Sequence, residues 1–553
     1  MALIMAFIFR AFIIEAFIIP TGSMAATLYG KHATITCEDC GWEFAYGLAD
    51  QGQSGHPVRR TVGPTSVAVC QNCGHPNTNL TVHDFAGPQG NAEKGDRILV
   101  LKWPLDLGLA QLGPQRWDVT VFKDPGSTGT TPGGRYLAPQ NFIKRLVGLP
   151  NEVLEITDGD IYTVPVAELS DPARRALQAA RRLKYESRRD SAGVETLASR
   201  RAVESSEASL RRELDAKLRI RRKTPAAQRA LWTLVYSHDY PPRHLDPGQP
   251  YWQPPEGDVG VWDVSTPKIK CDSLGAESGV LRFAGKEIND QTSYNLNVNG
   301  HYRWHRVSDL RLSFVLVPRA GQGVLRLALS KRDHTFWALI QANGTVALFQ
   351  TRGQQPAEGD TPLASHVLGA LSPGEPVRVA FENVDHRVSL RVNGIEVLAT
   401  TDEQYAPDLA ALRAAGDYES AAPRLLAYDL QFELWHLALK RDVHYGSLKN
   451  ERNVPMAART AWGTEGKPIW LREGEFFMLG DNSGASKDSR LWSEPGAHLS
   501  GRRQDYQMGT VPRDQLIGRA FFVYWPSGHR SDVLPFLKDF GLIPNFGRMR
   551  WIY

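Results

Sequence analysis

Apolar and polar residues alternate along many short segments of this chain, and a period of two residues predicts β-strands. Such segments, rich in β-branched residues, fall within residues 95–162 and again from about residue 440 to the C-terminus. Between residues 255 and 438 they recur with Asn-Gly turns at Asn343 and Asn393, which is a hairpin signal. The pattern therefore predicts a mostly β protein with an antiparallel sandwich in the middle of the chain.

Residues 170–235 depart from this pattern because they are rich in Ala, Arg, Leu and Glu. Ser170 is a suitable N-cap and Pro172 falls in the first turn, so one or two charged helices are predicted. Their arginines could reach anionic lipid headgroups. A solvated helical spacer is the simpler expectation.

The first nineteen residues are strongly apolar but are interrupted by Arg10 and Glu15. The apolar run before Arg10 is shorter than the roughly 20 residues that cross a bilayer. We expect a membrane anchor whose beginning is missing or misassigned, in preference to a helix that lies in the interface or is buried in a soluble protein. Because no small-residue cleavage site follows, a cleaved secretory signal is not expected.

Length and charge narrow the picture further. A chain of 553 residues exceeds what one hydrophobic core organises, so three or more domains are expected. The formal net charge of +4 is small for this length. Nucleic acid is therefore not an expected partner.

Four of the five cysteines form two Cys-x-x-Cys pairs, each followed by glycine: Cys37 with Cys40, and Cys70 with Cys73. This layout is typical of a zinc ribbon, in which four thiolates surround one structural ion. Two disulfides are the alternative in an oxidising exterior. His75 is either an extra ligand or a surface residue, and Cys271 is expected to be an unpaired thiol on a strand.

Two segments carry candidate chemistry. Pro20 and Gly22 bracket a bend that would present Ser23 at the end of an extended segment. On a strand, Lys144 shares one face with Phe142 and Leu146. Desolvation between apolar side chains lowers the pKa of a lysine, and a neutral amine can accept the proton of a serine hydroxyl. The alternative is a lysine that extends from a half-buried strand into solvent.

The surrounding residues resemble the conserved boxes of the type I signal peptidases. Residues 17–28, FIIPTGSMAATL, resemble the first box, with Thr21 in place of a serine and Ala26 in place of a proline. Residues 142–150 resemble the Lys-Arg-x-x-Gly-x-Pro box, and Gly95-Asp96 with the strand after it resembles another. Residues 480–490 match Gly-Asp-Asn-x-x-x-Ser-x-Asp-Ser-Arg at every specified position, and residues 511–526 fit the closing strands.

The resemblance implies a serine endopeptidase that needs no catalytic cofactor, with Ser23 as nucleophile and Lys144 as general base. It implies that Ser486 orients Lys144, that the Thr21 hydroxyl helps to bind the oxyanion, and that Asp481 and Arg490 form a supporting ion pair. It also implies a substrate pocket for small residues, lined by Phe17, Ile19, Met24, Leu28, Phe142 and Ile143. The substrates would be the signal peptides of exported preproteins, cut after an Ala-x-Ala sequence on the extracytoplasmic side of the plasma membrane, with membrane lipid as a further partner.

The expected organisation is a signal-peptidase-type antiparallel β catalytic domain that two insertions interrupt. Residues 251–440 resemble concanavalin-like or laminin-G-like sandwiches, which suggests a glycan or protein ligand. The predicted segments are an anchor (1–19), a split catalytic domain (20–30 with 84–165, and 441–553), a zinc ribbon (31–83), a charged helical segment (166–250) and the sandwich (251–440).

Two other functions remain open at this point. A catalytically weak protease scaffold could serve mainly to present the sandwich for binding. A self-cleaving repressor uses the same Ser/Lys chemistry but needs an N-terminal DNA-binding domain, where this chain has an apolar segment.

Overall fold

A computed structural model describes residues 13–47, 66–80, 92–93, 95–102, 113–126, 139–186, 208–244, 250–255, 260–275, 278–295, 304–357, 359–414, 421–446, 462–492, 495–496, 498–499, 506–526 and 545–553. The described part is mostly β, as the alternating pattern predicts. Its strands form two sheets, A and B, that come from both ends of the sequence, a large central sheet, and small sheets around the cysteines.

Sheet A joins the two ends of the chain. Its strands lie in the order Ile14–Ile18, Arg97–Lys102, Leu516–Trp525, Val119–Lys123, Asn141–Gly148, Glu475–Leu479 and Val511–Pro512, and Arg550–Trp551 pairs with Leu516–Trp525. Neighbouring strands are antiparallel. The late strand Leu516–Trp525 therefore lies between two strands from the first quarter of the chain.

The predicted anchor at 1–19 is partly a strand. Ile14–Ile18 pairs with Arg97–Lys102, so these apolar residues extend sheet A. Residues 1–12 lie outside the described residues. Within the part of the chain that the structure describes, no helix is both long and apolar enough to cross a membrane.

Sheet B lies beside sheet A, and its strands follow the order Arg219–Ile220, Asp160–Pro165, Glu152–Thr157 and Ile469–Leu471. The helices Asp171–Glu186 and 208–217 pack on it. Ser170 accepts a hydrogen bond from the Ala173 N–H at 3.3 Å, so the predicted N-cap is confirmed. The buried side chains of Leu177 and Leu214 join an apolar cluster with Val153, which means that this segment is not a solvated spacer.

The central sheet contains the predicted sandwich region. Its two longest strands, Leu310–Lys331 and Arg424–Arg441, pair with each other along most of their length. Register shifts between residues 313 and 324 divide the first of them, so one half pairs with Val377–Val384 and the other with His334–Gln341. The remaining strands are Thr233–Ser237, Trp252–Gln253, Trp262–Asp263, Ile269–Asp272, Gly279–Phe283, Thr345–Thr351, Ala364–Val367, Arg387–Val392 and Ile395–Ala399.

The sandwich begins earlier than residue 251. Thr233–Ser237, predicted as the end of the helical segment, pairs with Arg424–Arg441. The short helix Pro225–Leu231 precedes it, and Leu409–Ala414 is a further helix in the insertion. One extensive apolar cluster includes Val235 and Tyr236, so this strand belongs to the core of the sandwich.

Candidate active site and cysteine cluster

The candidate catalytic pair is assembled from two separate segments that sheet A brings together. Lys144 lies on the strand Asn141–Gly148, and Ser23 lies in a turn that follows the strand Ile14–Ile18. A 2.5 Å hydrogen bond joins Lys144 Nζ and Ser23 Oγ. The two residues are only 4% and 8% exposed, respectively. The structure thus brings a hydroxyl and an amine, 121 residues apart, into proton-transfer distance in a dry setting.

The surroundings of Lys144 favour its neutral form. Burial lowers the pKa of this lysine to about 8, because the ammonium loses its hydration. The carboxylates of Asp488, Asp124 and Asp481 oppose this effect, whereas the positive charge of Arg490 reinforces it. An amine with this pKa is partly deprotonated near neutral pH and can act as a base.

The turn that carries Ser23 is held from both sides. The Asp96 carboxylate accepts a hydrogen bond from the Tyr29 N–H at 3.0 Å, and the Asp96 carbonyl accepts one from the Ile19 N–H at 2.9 Å. On the other side, the Asn482 N–H donates to the Ser23 carbonyl at 3.1 Å, and Asn482 Nδ2 donates to the Gly22 carbonyl at 2.9 Å. Asn482 therefore fixes the backbone at Gly22 and Ser23, a role that the sequence interpretation did not assign to it.

Ser486 lies near Ser23, but its hydroxyl does not form the predicted hydrogen bond. Its side chain is buried, and among the described residues its hydroxyl has no hydrogen-bond partner, so the predicted bond to Lys144 is not formed. A Cβ added to Gly480 would overlap the Ser486 hydroxyl and lie 2.6 Å from the Ser23 carbonyl oxygen. Glycine at position 480 thus lets the segment approach the nucleophile closely.

The predicted ion pair between Asp481 and Arg490 is wrong, because each of them has another partner. Asp481 accepts two hydrogen bonds of 2.7 Å from Arg145, through Nε and Nη2. Arg490 donates to Asp488 through Nε at 2.9 Å and through Nη2 at 2.7 Å. Since side chains alternate along a strand, Arg145 points away from Lys144, and its pairing with Leu479 brings it to Asp481.

Of the six side chains predicted to line the substrate pocket, four are buried and two, Phe17 and Phe142, are half-buried. Met24 and Leu28 are completely buried and pack with Ile19 and Ile143, so they form core beneath the nucleophile. Phe17 is half-buried beside this cluster. Phe142 packs on a separate cluster, with its ring 5.6 Å from Lys144 Nζ.

Thr21 is exposed, two residues before Ser23. Its predicted part in binding the oxyanion stays a prediction.

The four cysteines of the predicted ribbon come together in two equivalent loops. In the first, the Cys37 carbonyl accepts a hydrogen bond from the Gly41 N–H at 3.0 Å, and in the second the Cys70 carbonyl accepts one from Gly74 at 2.8 Å. Both glycines have positive φ, 77° and 73°, which explains why a glycine follows each pair. The flanking strands are His32–Thr36, Glu43–Gly47 and Ala92–Glu93, and Ser66–Val69 with Pro76–Leu80.

The sulfur positions fit a metal ion. All four Sγ atoms lie within 4.8 Å of one another, and the separations are 3.5 Å for Cys37 and Cys73 and 3.7 Å for Cys40 and Cys70. Zn–S bonds of about 2.3 Å in a tetrahedron give sulfur separations of about 3.8 Å, whereas a disulfide needs about 2.05 Å. The Trp42 N–H also points at Cys40 Sγ, 3.5 Å away, which favours a thiolate.

The other predicted metal candidate lies apart from these sulfurs. His75 groups with Asp39 and His244 instead. Asp39 accepts hydrogen bonds of 2.9 Å from the Arg243 N–H and from His244 Nδ1. Cys271 is buried on the strand Ile269–Asp272, as predicted.

A family model for a class of peptidases matches part of the chain. It is described as "Signal peptidase, peptidase S26" and matches residues 373–525, which contain Asp481, Asn482 and Ser486. The matched segment ends with the strand Leu516–Trp525 of sheet A.

Particular relatives agree with this class. The chain is 38% identical over 78 residues to signal peptidase I of Pseudomonas fluorescens, covering 14% of this chain and 22% of the relative. It is 34% identical over 70 residues to the probable thylakoidal processing peptidase 2, chloroplastic, of Arabidopsis thaliana, covering 13% and 15%. The chain thus spans less than a quarter of the length of these relatives.

A solved structure shows a weak similarity to part of the chain. The VIP36 exoplasmic/lumenal domain, in a Ca2+/Man3GlcNAc-bound form, covers 40% of this chain and 95% of its own at 8% identity, with a TM-score of 0.27. A similarity of this size assigns no function.

Proposed function

We propose that this chain is a signal peptidase, a serine endopeptidase in which Ser23 and Lys144 form the catalytic dyad. The observation that carries the proposal is the 2.5 Å contact between Ser23 Oγ and Lys144 Nζ, buried from water. The partial matches to signal peptidases support it from the C-terminal part of the chain.

The proposed reaction has two halves. Ser23 Oγ attacks the scissile carbonyl carbon while neutral Lys144 accepts the hydroxyl proton, and the resulting oxyanion is bound by the Ser23 N–H and the Thr21 hydroxyl. Collapse breaks the C–N bond, and the Lys144 ammonium returns its proton to the departing amine. Water then attacks the acyl-enzyme with Lys144 again as base, which releases the acid and restores Ser23.

The substrates are proposed to be exported preproteins, cut after small residues at the extracytoplasmic face of the plasma membrane. Two buried ion pairs are proposed to support the dyad. Asp481 with Arg145 joins the segment after the strand Glu475–Leu479 to the strand Asn141–Gly148, and Arg490 with Asp488 stabilises the loop that follows.

We also propose that Cys37, Cys40, Cys70 and Cys73 hold a structural zinc ion. Four protein thiolates complete a tetrahedral site and leave no open position for substrate, so the ion would stabilise the ribbon without taking part in catalysis. The sandwich is proposed to bind a glycan or protein, as its predicted resemblance suggests.

The dyad is tested by cleavage of a generic preprotein with Ala-x-Ala before its cut site, using detergent-solubilised wild type, Ser23→Ala and Lys144→Ala. Lys123→Ala is the matched control, because Lys123 is exposed at the end of a neighbouring strand of sheet A. We expect both dyad variants to lose cleavage with folding intact, and the control to keep it. Activity that survives either dyad change would refute the mechanism. A folded but inactive wild type would favour the scaffold that only presents the sandwich for binding.

A further inference from the structure

A short segment of the large insertion lies directly on the turn that carries Ser23. This segment is the single turn of 3-10 helix Ser293–Asn295. The Tyr294 ring packs so closely on the backbone of Gly22 that an added Cβ there would overlap it. The same ring stacks on Tyr29 at 5.8 Å, and its hydroxyl donates to the Lys31 carbonyl at 3.3 Å. The insertion is therefore in contact with the candidate active site on both sides of the nucleophile.

Asn295 forms a reciprocal amide pair with Asn482. Asn295 Nδ2 donates to Asn482 Oδ1, and Asn482 Nδ2 donates to Asn295 Oδ1 at 2.8 Å. Both side chains are buried. The second N–H of Asn482 Nδ2 reaches the Gly22 carbonyl at 2.9 Å, so each polar atom of the Asn482 amide has a partner.

We infer that Asn295 is a positioning residue for the nucleophile, which acts through Asn482. This inference rests on the proposed function of Ser23 and deepens it. The two ends of an amide have nearly the same shape, and only hydrogen bonding decides which end faces which neighbour. By donating to Asn482 Oδ1, Asn295 keeps Nδ2 of that residue turned toward the Gly22 carbonyl. If the Asn482 amide turned over, its oxygen would face the carbonyl oxygen of Gly22 and repel it.

The segment is itself fixed to the rest of the insertion. Arg441, on the long strand Arg424–Arg441, donates to the carbonyls of Asp290 and Gln291 at 2.9 and 3.3 Å. The Ser293 N–H donates to Gln71 Oε1 at 3.4 Å, and Gln71 Nε2 donates to the Leu234 carbonyl at 2.6 Å. The sandwich and the cysteine ribbon together thus hold the support that Asn295 provides.

The expected signature is kinetic. Without Asn295, Ser23 remains present and Lys144 keeps its environment, but the hydroxyl is held less firmly in line with the scissile carbonyl. Misplacement of this kind lowers kcat, and we expect a fall of about 10- to 100-fold. KM should change little, because Asn295 is buried behind the nucleophile, and the pH at which kcat reaches half its maximum should not move.

The test compares Asn295→Ala, Asn482→Ala and the double variant in the preprotein assay, with thermal unfolding of each protein. Asn295→Asp is a second variant of nearly the same shape that cannot donate when ionised. Asn343→Ala, in an exposed turn of the same insertion, is the matched control and should behave as wild type.

We expect Asn295→Ala and Asn295→Asp to lower kcat, and the double variant to be no slower than Asn482→Ala, since the first residue acts through the second. Unchanged kcat in both Asn295 variants would overturn the inference while leaving the dyad in place. Effects that multiply in the double variant, or that follow loss of folded protein, would also overturn it. An inactive, folded wild type would refute the proposed function and this inference with it.

Discussion

The pKa of Lys144 gives the sharpest prediction, because it fixes how the cleavage rate depends on pH. The base must be neutral to accept a proton, so kcat/KM, which reports the free enzyme, should rise with pH and level off above the pKa of about 8. Replacing Asp124 by asparagine removes a nearby carboxylate that favours the ammonium. The rising limb of Asp124→Asn should therefore move to lower pH than that of the wild type.

The magnitude follows from the neutral fraction of the amine. With a pKa of about 8, roughly one lysine in eleven is neutral at pH 7, whereas an ordinary lysine near 10.5 gives about one in three thousand. Burial of Lys144 thus raises the population of active base about 300-fold at pH 7. Below the pKa, kcat/KM should fall about tenfold for each pH unit.

The measurement is kcat/KM from pH 5.5 to 10 with preprotein well below KM, for wild type, Asp124→Asn and the control Asp263→Asn. Asp263 lies on a strand of the sandwich, with its side chain exposed to solvent. A limb centred near pH 10 would refute the argument that burial neutralises Lys144. A limb that stays in place in Asp124→Asn, or moves equally in the control, would show that the carboxylate at position 124 does not act on the lysine.

Three further predictions concern metal and stability. Metal analysis of the purified protein should find about one zinc per chain. Cys40→Ser should lose this zinc and, by calorimetry, unfold at a lower temperature than the wild type. Lys331→Met should lower the free energy of unfolding by about 3–5 kcal/mol in urea, because it leaves the buried Asp309 carboxylate without its cation, 2.5 Å away. Gly22→Ala should cost about 1–3 kcal/mol through overlap with the Tyr294 ring. In a Tyr294→Ala background the same glycine change should cost much less, because the ring that it overlaps is gone.

The candidate dyad could be predicted from sequence because its signals are local. Each box is a short run of residues whose type and spacing are visible without the fold, and Ser23, Lys144 and Ser486 each belong to one. The knuckle cysteines are predictable for the same reason, since glycine after each pair provides the positive φ that the turn needs.

The partners of these residues could not be predicted in the same way. Several arginines and aspartates lie near the dyad, and only the register of Asn141–Gly148 against Glu475–Leu479 decides that Arg145 meets Asp481. Asn295 has no local signal at all, because it is 187 residues from Asn482 in a segment of turn residues.

The first strand of the sandwich lies before its predicted start at residue 251 for a related reason. Thr233–Ser237 is a short strand next to a stretch of helical composition, and its strand character depends on pairing with Arg424–Arg441, about 200 residues later. The helices before it have a charged sequence, yet their leucines pack on sheet B, which local composition does not reveal.

The order of strands in sheet A has a consequence for biosynthesis. The strand Leu516–Trp525 inserts between Arg97–Lys102 and Val119–Lys123, which leave the ribosome some four hundred residues earlier. Until that late strand emerges, the two early strands have open edges that need protection from wrong pairing. At that stage Ser23 and Lys144 belong to two separate groups of strands, because Leu516–Trp525 has not yet joined them into one sheet. Under the proposed function, a nascent chain is therefore expected to have no proteolytic activity until Leu516–Trp525 has left the ribosome and joined the two early strands.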